Sequence, residues 1–167
     1  HGCGVSDENG SCPCQKTEDG LLVFVKDVPA YGFRTLKITK ADGEENFLHL
    51  TETGAETPFY RISFTGNGEI AELFDKENNR MVSCGQPMNR FVAYEDKPQR
   101  FDAWDVDVYY KEKPYQPFML KERKVVEQGG ERCVLRQTWA FNRSEITQDL
   151  VLYRGSRRID FVTTVDW

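Results

Sequence analysis

Histidine is scarce in this 167-residue chain: there are two, and one of them, His1, opens it. Chemistry built on an imidazole acid facing a carboxylate base, or on several imidazole metal ligands, has little to draw on. Positive charge is also short. Twenty-two Lys and Arg stand against 27 Asp and Glu, for a net charge of −5 and a pI near 5.2. Nucleic acid and anionic membrane both call for a basic face, so neither is an expected partner. No apolar run approaches the ~18–20 residues that span a bilayer. No basic-then-apolar leader precedes the first strand pattern, and a mean hydropathy of −0.61 fits a soluble protein. Sustained helical periodicity with caps is missing, as are a phosphate-cradling glycine loop, a nucleophile elbow and a thiolate–imidazole pair.

What is present favours β-structure. Aromatic residues make up 13% of the chain, and 39% of it is hydrophobic, enough for one large domain or one domain plus part of another. The five cysteines are unevenly spread. Cys133 alternates with Leu135 and Trp139 and reads as a small buried apolar group. His1, Cys3, Cys12 and Cys14 could supply four zinc ligands, since thiolate and imidazole suit a tetrahedral ion. The Cys12-Pro13-Cys14 spacer is one residue, however, where zinc knuckles use two to four, and reduced thiols in a loop are the alternative. That usage predicts a reducing, cytoplasmic compartment. Asn142-Arg143-Ser144 fits a glycosylation sequon and equally a hairpin turn.

Along the chain, residues 1–19 are polar, rich in Gly and Cys, and predict an irregular loop. Strands are expected over 21–25 and 33–38, separated by a Pro29–Gly32 turn. Residues 40–57 are acidic and irregular, with His49 between two leucines as a strand or loop residue. A boundary near residue 52 divides the chain into 1–52, the end of a small β-domain, and 53–167, the first part of a larger one. From there strands and tight turns alternate: 59–64, 69–74, 89–94, 118–127, 132–141, 145–153 and 157–167. Thr65-Gly66-Asn67-Gly68, Gln128-Gly129-Gly130 and Arg154-Gly155-Ser156 read as turns, because Asn and Gly accept positive φ. The fold class is therefore all-β and antiparallel, a large sandwich. The last strand stops at Trp167 without a turn signal, which predicts a piece of a longer protein.

Residues 101–110 are the most unusual stretch. Read as a strand, they place Asp102, Trp104, Val106, Val108 and Tyr110 on one face and Ala103, Asp105, Asp107 and Tyr109 on the other. Asp is depleted in strands, so three beside a Trp need a reason. An aromatic plate next to carboxylates suits sugar recognition; acids turned to water on an exposed strand are the alternative.

Several motifs carry a family likeness. They are Phe59-Tyr60-Arg61-Ile62-Ser63-Phe64, Gly66-Asn67-Gly68-Glu69-Ile70 and Leu73-Phe74-Asp75-Lys76-Glu77-Asn78-Asn79-Arg80. Asn89-Arg90-Phe91, Tyr94-Glu95-Asp96-Lys97-Pro98, Asp102-Ala103-Trp104-Asp105-Val106 and the strand ending at Trp167 follow in the same order. Together they resemble the carboxy-terminal β-region of glycoside hydrolase family 38 α-mannosidases, in the form of the bacterial and cytosolic branch. Val28-Pro29-Ala30-Tyr31-Gly32-Phe33 resembles the end of the small β-domain before it.

The resemblance implies a β-supersandwich like that of galactose mutarotase-like proteins, packed on an amino-terminal catalytic barrel of the same chain. It implies retaining, zinc-dependent hydrolysis of α-mannosides, with the nucleophile, the acid/base and the zinc all in that barrel. This region would then contain no catalytic residue and no cofactor. It would support the barrel and line the sugar pocket, with Asp102, Trp104 and Asp105 close to a mannose-containing oligosaccharide or glycoside. Asp102 and Asp105 fall on opposite faces of the expected strand, so they could not flank one glycosidic bond at the ~5–9 Å that chemistry requires. An autonomous carbohydrate-binding module with Trp104 as its platform is the alternative function, and a mutarotase-like epimerase is disfavoured by the shortage of histidine.

Overall fold

The structure is a computed structural model that describes residues 2–41, 48–101, 104–115 and 117–167. Its strands run in chain order as β1 (Gly2–Asp7), β2 (Gly10–Cys12), β3 (Cys14–Thr17), β4 (Gly20–Val23), β5 (Lys37–Ala41), β6 (His49–Leu50) and β7 (Gly54–Glu56). They continue as β8 (Tyr60–Phe64), β9 (Ile70–Asp75), β10 (Arg80–Met81), β11 (Met119–Gln128), β12 (Arg132–Phe141), β13 (Ser144–Tyr153) and β14 (Ile159–Asp166). The described pairings are antiparallel, and a 3-10 turn at Val108–Glu112 is the helical element among the described residues. The chain is all-β, as expected.

Two sheets form the main body. One has the order β10-β9-β8-β7-β6 and the other β11-β12-β13-β14. The second follows directly from period-two patterning. Cys133, Leu135, Gln137 and Trp139 on β12 stand opposite Leu152, Leu150, Gln148 and Ile146 on β13. All eight of these side chains are buried. Leu50, Ala55, Ile62, Ile70 and Leu73 of the first sheet meet Cys133, Leu135, Leu150 and Leu152 of the second in one core. Two sheets sharing a core make a β-sandwich, and each fully buried leucine in it stabilises the fold by about 1.5–3 kcal/mol.

The polar residues of that core are satisfied. Gln137 accepts from Arg123 Nε at 2.9 Å and donates to the Gly68 carbonyl at 3.1 Å. Gln148 accepts from Asn89 Nδ2 at 2.7 Å and donates to Thr163 at 2.8 Å. Buried amides left unpaired would each cost about 1–3 kcal/mol, so these bonds fix which loops can lie over the sheet.

The turn at 65–68 does the same for a second, aromatic core of Ala93, Phe118, Trp139 and Ile146. Asn67 donates to the Phe118 carbonyl at 2.9 Å and accepts from Leu120 N at 2.9 Å. Its carbonyl takes the Trp139 indole N–H at 2.7 Å. The hairpin signal in the sequence therefore serves twice, turning the chain and closing over a buried tryptophan.

Residues 2–17 correct the expectation of an irregular amino-terminal loop. They form strands: β2-β1-β5 is a three-stranded sheet and β3-β4 a hairpin. The physical reason is that the Gly-rich segments are turns rather than coil. Asp7 Oδ1 accepts from Asn9 N at 2.8 Å, and Gly10 and Gly20 take φ of 124° and 144°, where side chains are disfavoured. Val5, 2% exposed, supplies the apolar anchor. Of the expected 33–38 strand, only 37 and 38 pair, as the start of β5. Residues 89–94 are not a strand; they contribute a single bridge, Tyr94 to Pro114.

The hairpin β3-β4 is held to the sandwich through Gln15, which is 2% exposed. It donates to Glu127 at 2.6 Å and accepts from the backbone N–H groups of Glu131 and Arg132 at 2.9 and 2.7 Å. A Cβ at Gly129 would sit 2.0 Å from the Gln15 amide carbon, so a glycine is required there.

Candidate functional site

The loop carrying the acidic and aromatic motif is closed at its base. Tyr115 N donates to the Ala93 carbonyl at 2.9 Å and Glu95 N to the Lys113 carbonyl at 3.1 Å. With the Tyr94–Pro114 bridge, these bonds bring 93–95 against 113–115 and turn the residues between them into a loop whose ends touch. Phe91, Phe118 and Trp139 pack edge-to-face beneath it, with ring centroids 5.0–6.1 Å apart. The aromatic core thus supplies a rigid base for a surface loop, as binding loops require.

Within the loop the expected strand over 101–110 is not formed. Phe101 takes φ of 61°, and its carbonyl accepts from both Trp104 N and Asp105 N at 3.0 Å. Residues 105–107 are irregular, and Val108–Glu112 is the 3-10 turn. The cause is the one that depletes Asp in strands. The Asp107 carboxylate takes the Gln99 backbone N–H at 2.9 Å, while its carbonyl takes Tyr110 N at 3.1 Å, so local partners displace the ladder. Asp105 is therefore not on a strand face.

Trp104 is 85% exposed, in contrast to the buried Trp139. Asp105 beside it is exposed, as are the neighbouring Phe101, Val106 and Tyr109. Asp102 lies outside the described residues. The structure thus brings Trp104 and Asp105 together on one turn.

The same loop holds a cleft of about 170 Å3, lined by Glu95, Lys97, Gln99, Asp107, Tyr109 and Tyr110 among others; Trp104 and Asp105 do not line it. The 101–110 pattern alone did not reveal its back half, because Glu95 and Lys97 lie earlier in the same loop, where the chain enters it. Tyr94 and Tyr110 meet edge-on at 5.1 Å, with Lys111 over the Tyr110 ring at 5.6 Å. Glu95 pairs with Lys97 at 2.5 Å and Lys113 at 3.2 Å. The hydrogen bond from Lys97, with that from Lys113 next, holds its carboxyl below the usual range, and Glu95 raises Lys97 in turn. A carboxylate so held stays ionised and accepts hydrogen bonds from hydroxyls.

The site is therefore suited to recognition. Glu95, held ionised by Lys97 and Lys113, is a hydrogen-bond acceptor placed beside two tyrosine rings. Among the described residues no three His, Cys, Asp or Glu side chains converge as a metal site requires. Cys12 is buried in β2 and Cys14 sits in β3, in a different sheet, while the Cys3 side chain lies outside the description. His49 is exposed on β6.

Comparison with known proteins gives a consistent result. Residues 55–167 match the model of the glycosyl hydrolases family 38 C-terminal domain. Alpha-mannosidase G of Dictyostelium discoideum is 28% identical over 143 residues, a match covering 81% of this chain and 12% of that protein. Alpha-mannosidase D of the same organism is 25% identical over 103 residues, covering 54% of this chain and 8% of the relative. The chain spans a small part of the length of these relatives.

Proposed function

Because this chain belongs to the glycosyl hydrolases family 38 C-terminal domain family, we propose that it is the non-catalytic β-region of an α-mannosidase. In this reading it works against an amino-terminal catalytic barrel of the same polypeptide, which hydrolyses terminal α-mannosyl linkages. Zinc and the reacting carboxylates belong to that barrel, and no step is assigned to residues here. Residues 1–52 end a small β-domain and 53–167 open the sandwich, with β6 lending its two residues to the sandwich sheet. The setting is cytoplasmic, in keeping with Cys12, Cys84 and Cys133 as thiols outside disulfides. No helix among the described residues is long and apolar enough to cross a membrane.

The observation that carries the reading is the presentation of Trp104 and Asp105 on a loop closed at its base. An exposed indole offers an apolar plate for the C–H face of a mannose ring, and Asp105, with Asp102 two residues before the indole, offers acceptors for its hydroxyls. In the full-length enzyme, Trp104→Ala and Asp105→Ala are expected to lower kcat/KM on an aryl α-mannoside about 10-fold or more, the loss of one or two such contacts. The thermal midpoint should stay within error of wild type, because both side chains are solvent-facing. Wild-type kinetics in both variants would remove these residues from the substrate rim.

A further inference from the structure

A second cavity, about 220 Å3, lies between the β3-β4 hairpin and the β13-β14 turn. Its walls are apolar and partly aromatic: Leu22, Val23 and Phe24 from the end of the hairpin, and Tyr153 from β13. Phe24 is set there by its backbone N–H, which donates to the Pro13 carbonyl at 2.8 Å. A Cβ at Gly155 would come within 2.8 Å of the Phe24 ring, so a glycine at that turn is what lets the ring lie against it.

The polar groups at the same cavity are charged and arranged in pairs. Glu131, 8% exposed, accepts from Arg154 Nη1 at 2.9 Å through Oε1, and a carboxylate has lone pairs for more than one donor. Asp160 accepts the Tyr153 hydroxyl at 2.9 Å through Oδ2 and pairs with Arg158 through Oδ1. Burial, ahead of the bond to Asp160, keeps the Tyr153 phenol protonated, and the Arg158 hydrogen bond keeps Asp160 ionised.

Two carboxylates, Glu131 and Asp160, and one guanidinium, Arg158, line the cavity. Each carboxylate is paired with a guanidinium, Glu131 with Arg154 and Asp160 with Arg158, so the wall presents compensated charge and a strongly charged ligand gains little by entering. The volume is below the about 300–1,000 Å3 of sites for drug-sized molecules, and so admits one ring. Apolar walls with fixed carboxylate acceptors and the Arg158 guanidinium as donor match a molecule with both a C–H face and many hydroxyls. The geometry points to a binding site for a single neutral pyranose ring, held between Phe24 and Tyr153 with its hydroxyls on Glu131, Asp160 and Arg158. This inference does not depend on the Trp104 loop, and nothing in the family match assigns it.

Hydrogen exchange on the intact polypeptide, with and without 50 mM methyl α-D-mannopyranoside as the probe, reads this site separately from any other. Backbone amides of residues 20–26 and 152–160 should exchange at least twofold more slowly with the sugar. The effect should disappear in Arg158→Ala, an exposed change, and in Phe24→Leu, which keeps apolar volume but removes the aromatic wall. Unchanged exchange in both segments would overturn the proposal, as would slowing that persists in both variants. Slowing by benzyl alcohol but not by the mannoside would overturn the assignment to a sugar, leaving an apolar pocket. Protection at 101–112 instead would support the Trp104 reading and count against this one.

Discussion

At Gly68 two constraints meet. Its φ is 88°, and an added Cβ would lie 2.7 Å from the Trp139 ring and 2.8 Å from Gln137 Oε1. A side chain there is strained by the backbone and also strikes the buried residue the turn exists to cover. Gly68→Ala should destabilise the protein by about 2–4 kcal/mol, seen as a lower denaturant midpoint with an unchanged slope. Asp75 is a second single-residue determinant. Its carboxylate is bonded by Asn78 Nδ2 at 2.7 Å and by the Glu77 and Asn78 backbone N–H groups at 3.2 Å each. The Asn78 side-chain bond is the largest cause holding its pKa below the ordinary 3.8. A carboxylate with a depressed folded value contributes stability that is complete above the ordinary value and is lost as pH falls through the folded one. Thermal midpoints measured from pH 6 downward should therefore drop steeply below about pH 4. Asp75→Asn should flatten that drop while lowering the midpoint at pH 6, and parallel curves for the two proteins would contradict the assignment.

The strands from 118 to 167 were legible because three signals agree there: period-two apolar residues, turn residues at the intended φ, and lengths that match across the sheet. Asn142, with φ of 54°, turns β12 into β13 and makes the sequon-like triplet a hairpin. Where the signals disagreed, sequence reading failed in two opposite ways. Residues 101–110 alternate like a strand, but Asp107 bonds locally, and the alternation does not correspond to burial, since Trp104, Val106 and Val108 are all exposed. Residues 2–17 lack apolar alternation, and yet β1 pairs with β2 and β5 in register, because backbone pairing and tight Gly turns suffice once Val5 is buried. Of the candidate site, the residue pattern drew attention to Trp104 and its flanking aspartates, and the family resemblance named Asp102, Trp104 and Asp105 as sugar-proximal. Glu95 and Lys97 figured only as part of a family motif, because it is the Tyr94–Pro114 closure that sets them across from Asp107, Tyr109 and Tyr110. Asp102 lies outside the described residues.

Across the molecule, Gln15 ties the small amino-terminal sheets to the sandwich. Its three hydrogen bonds reach β11 at Glu127, the β11-β12 turn at Glu131 and the start of β12 at Arg132. Glu127 in turn holds the Arg132 guanidinium at 2.9 and 2.7 Å. Gln15→Leu preserves much of the volume but strands two backbone donors, each costing about 1–3 kcal/mol when left unpaired. Because the sandwich has its own core, this cost should fall on docking and not on the sheet pairing of β12 and β13. Hydrogen exchange in the variant should accelerate at residues 14–24 by 10-fold or more and leave 133–139 and 146–152 near wild-type rates, as expected when one cooperative unit opens without the other. Equal acceleration in both regions would mean that the two parts fold as a single unit, and the Phe24–Tyr153 cavity between them would then be as rigid as the core itself.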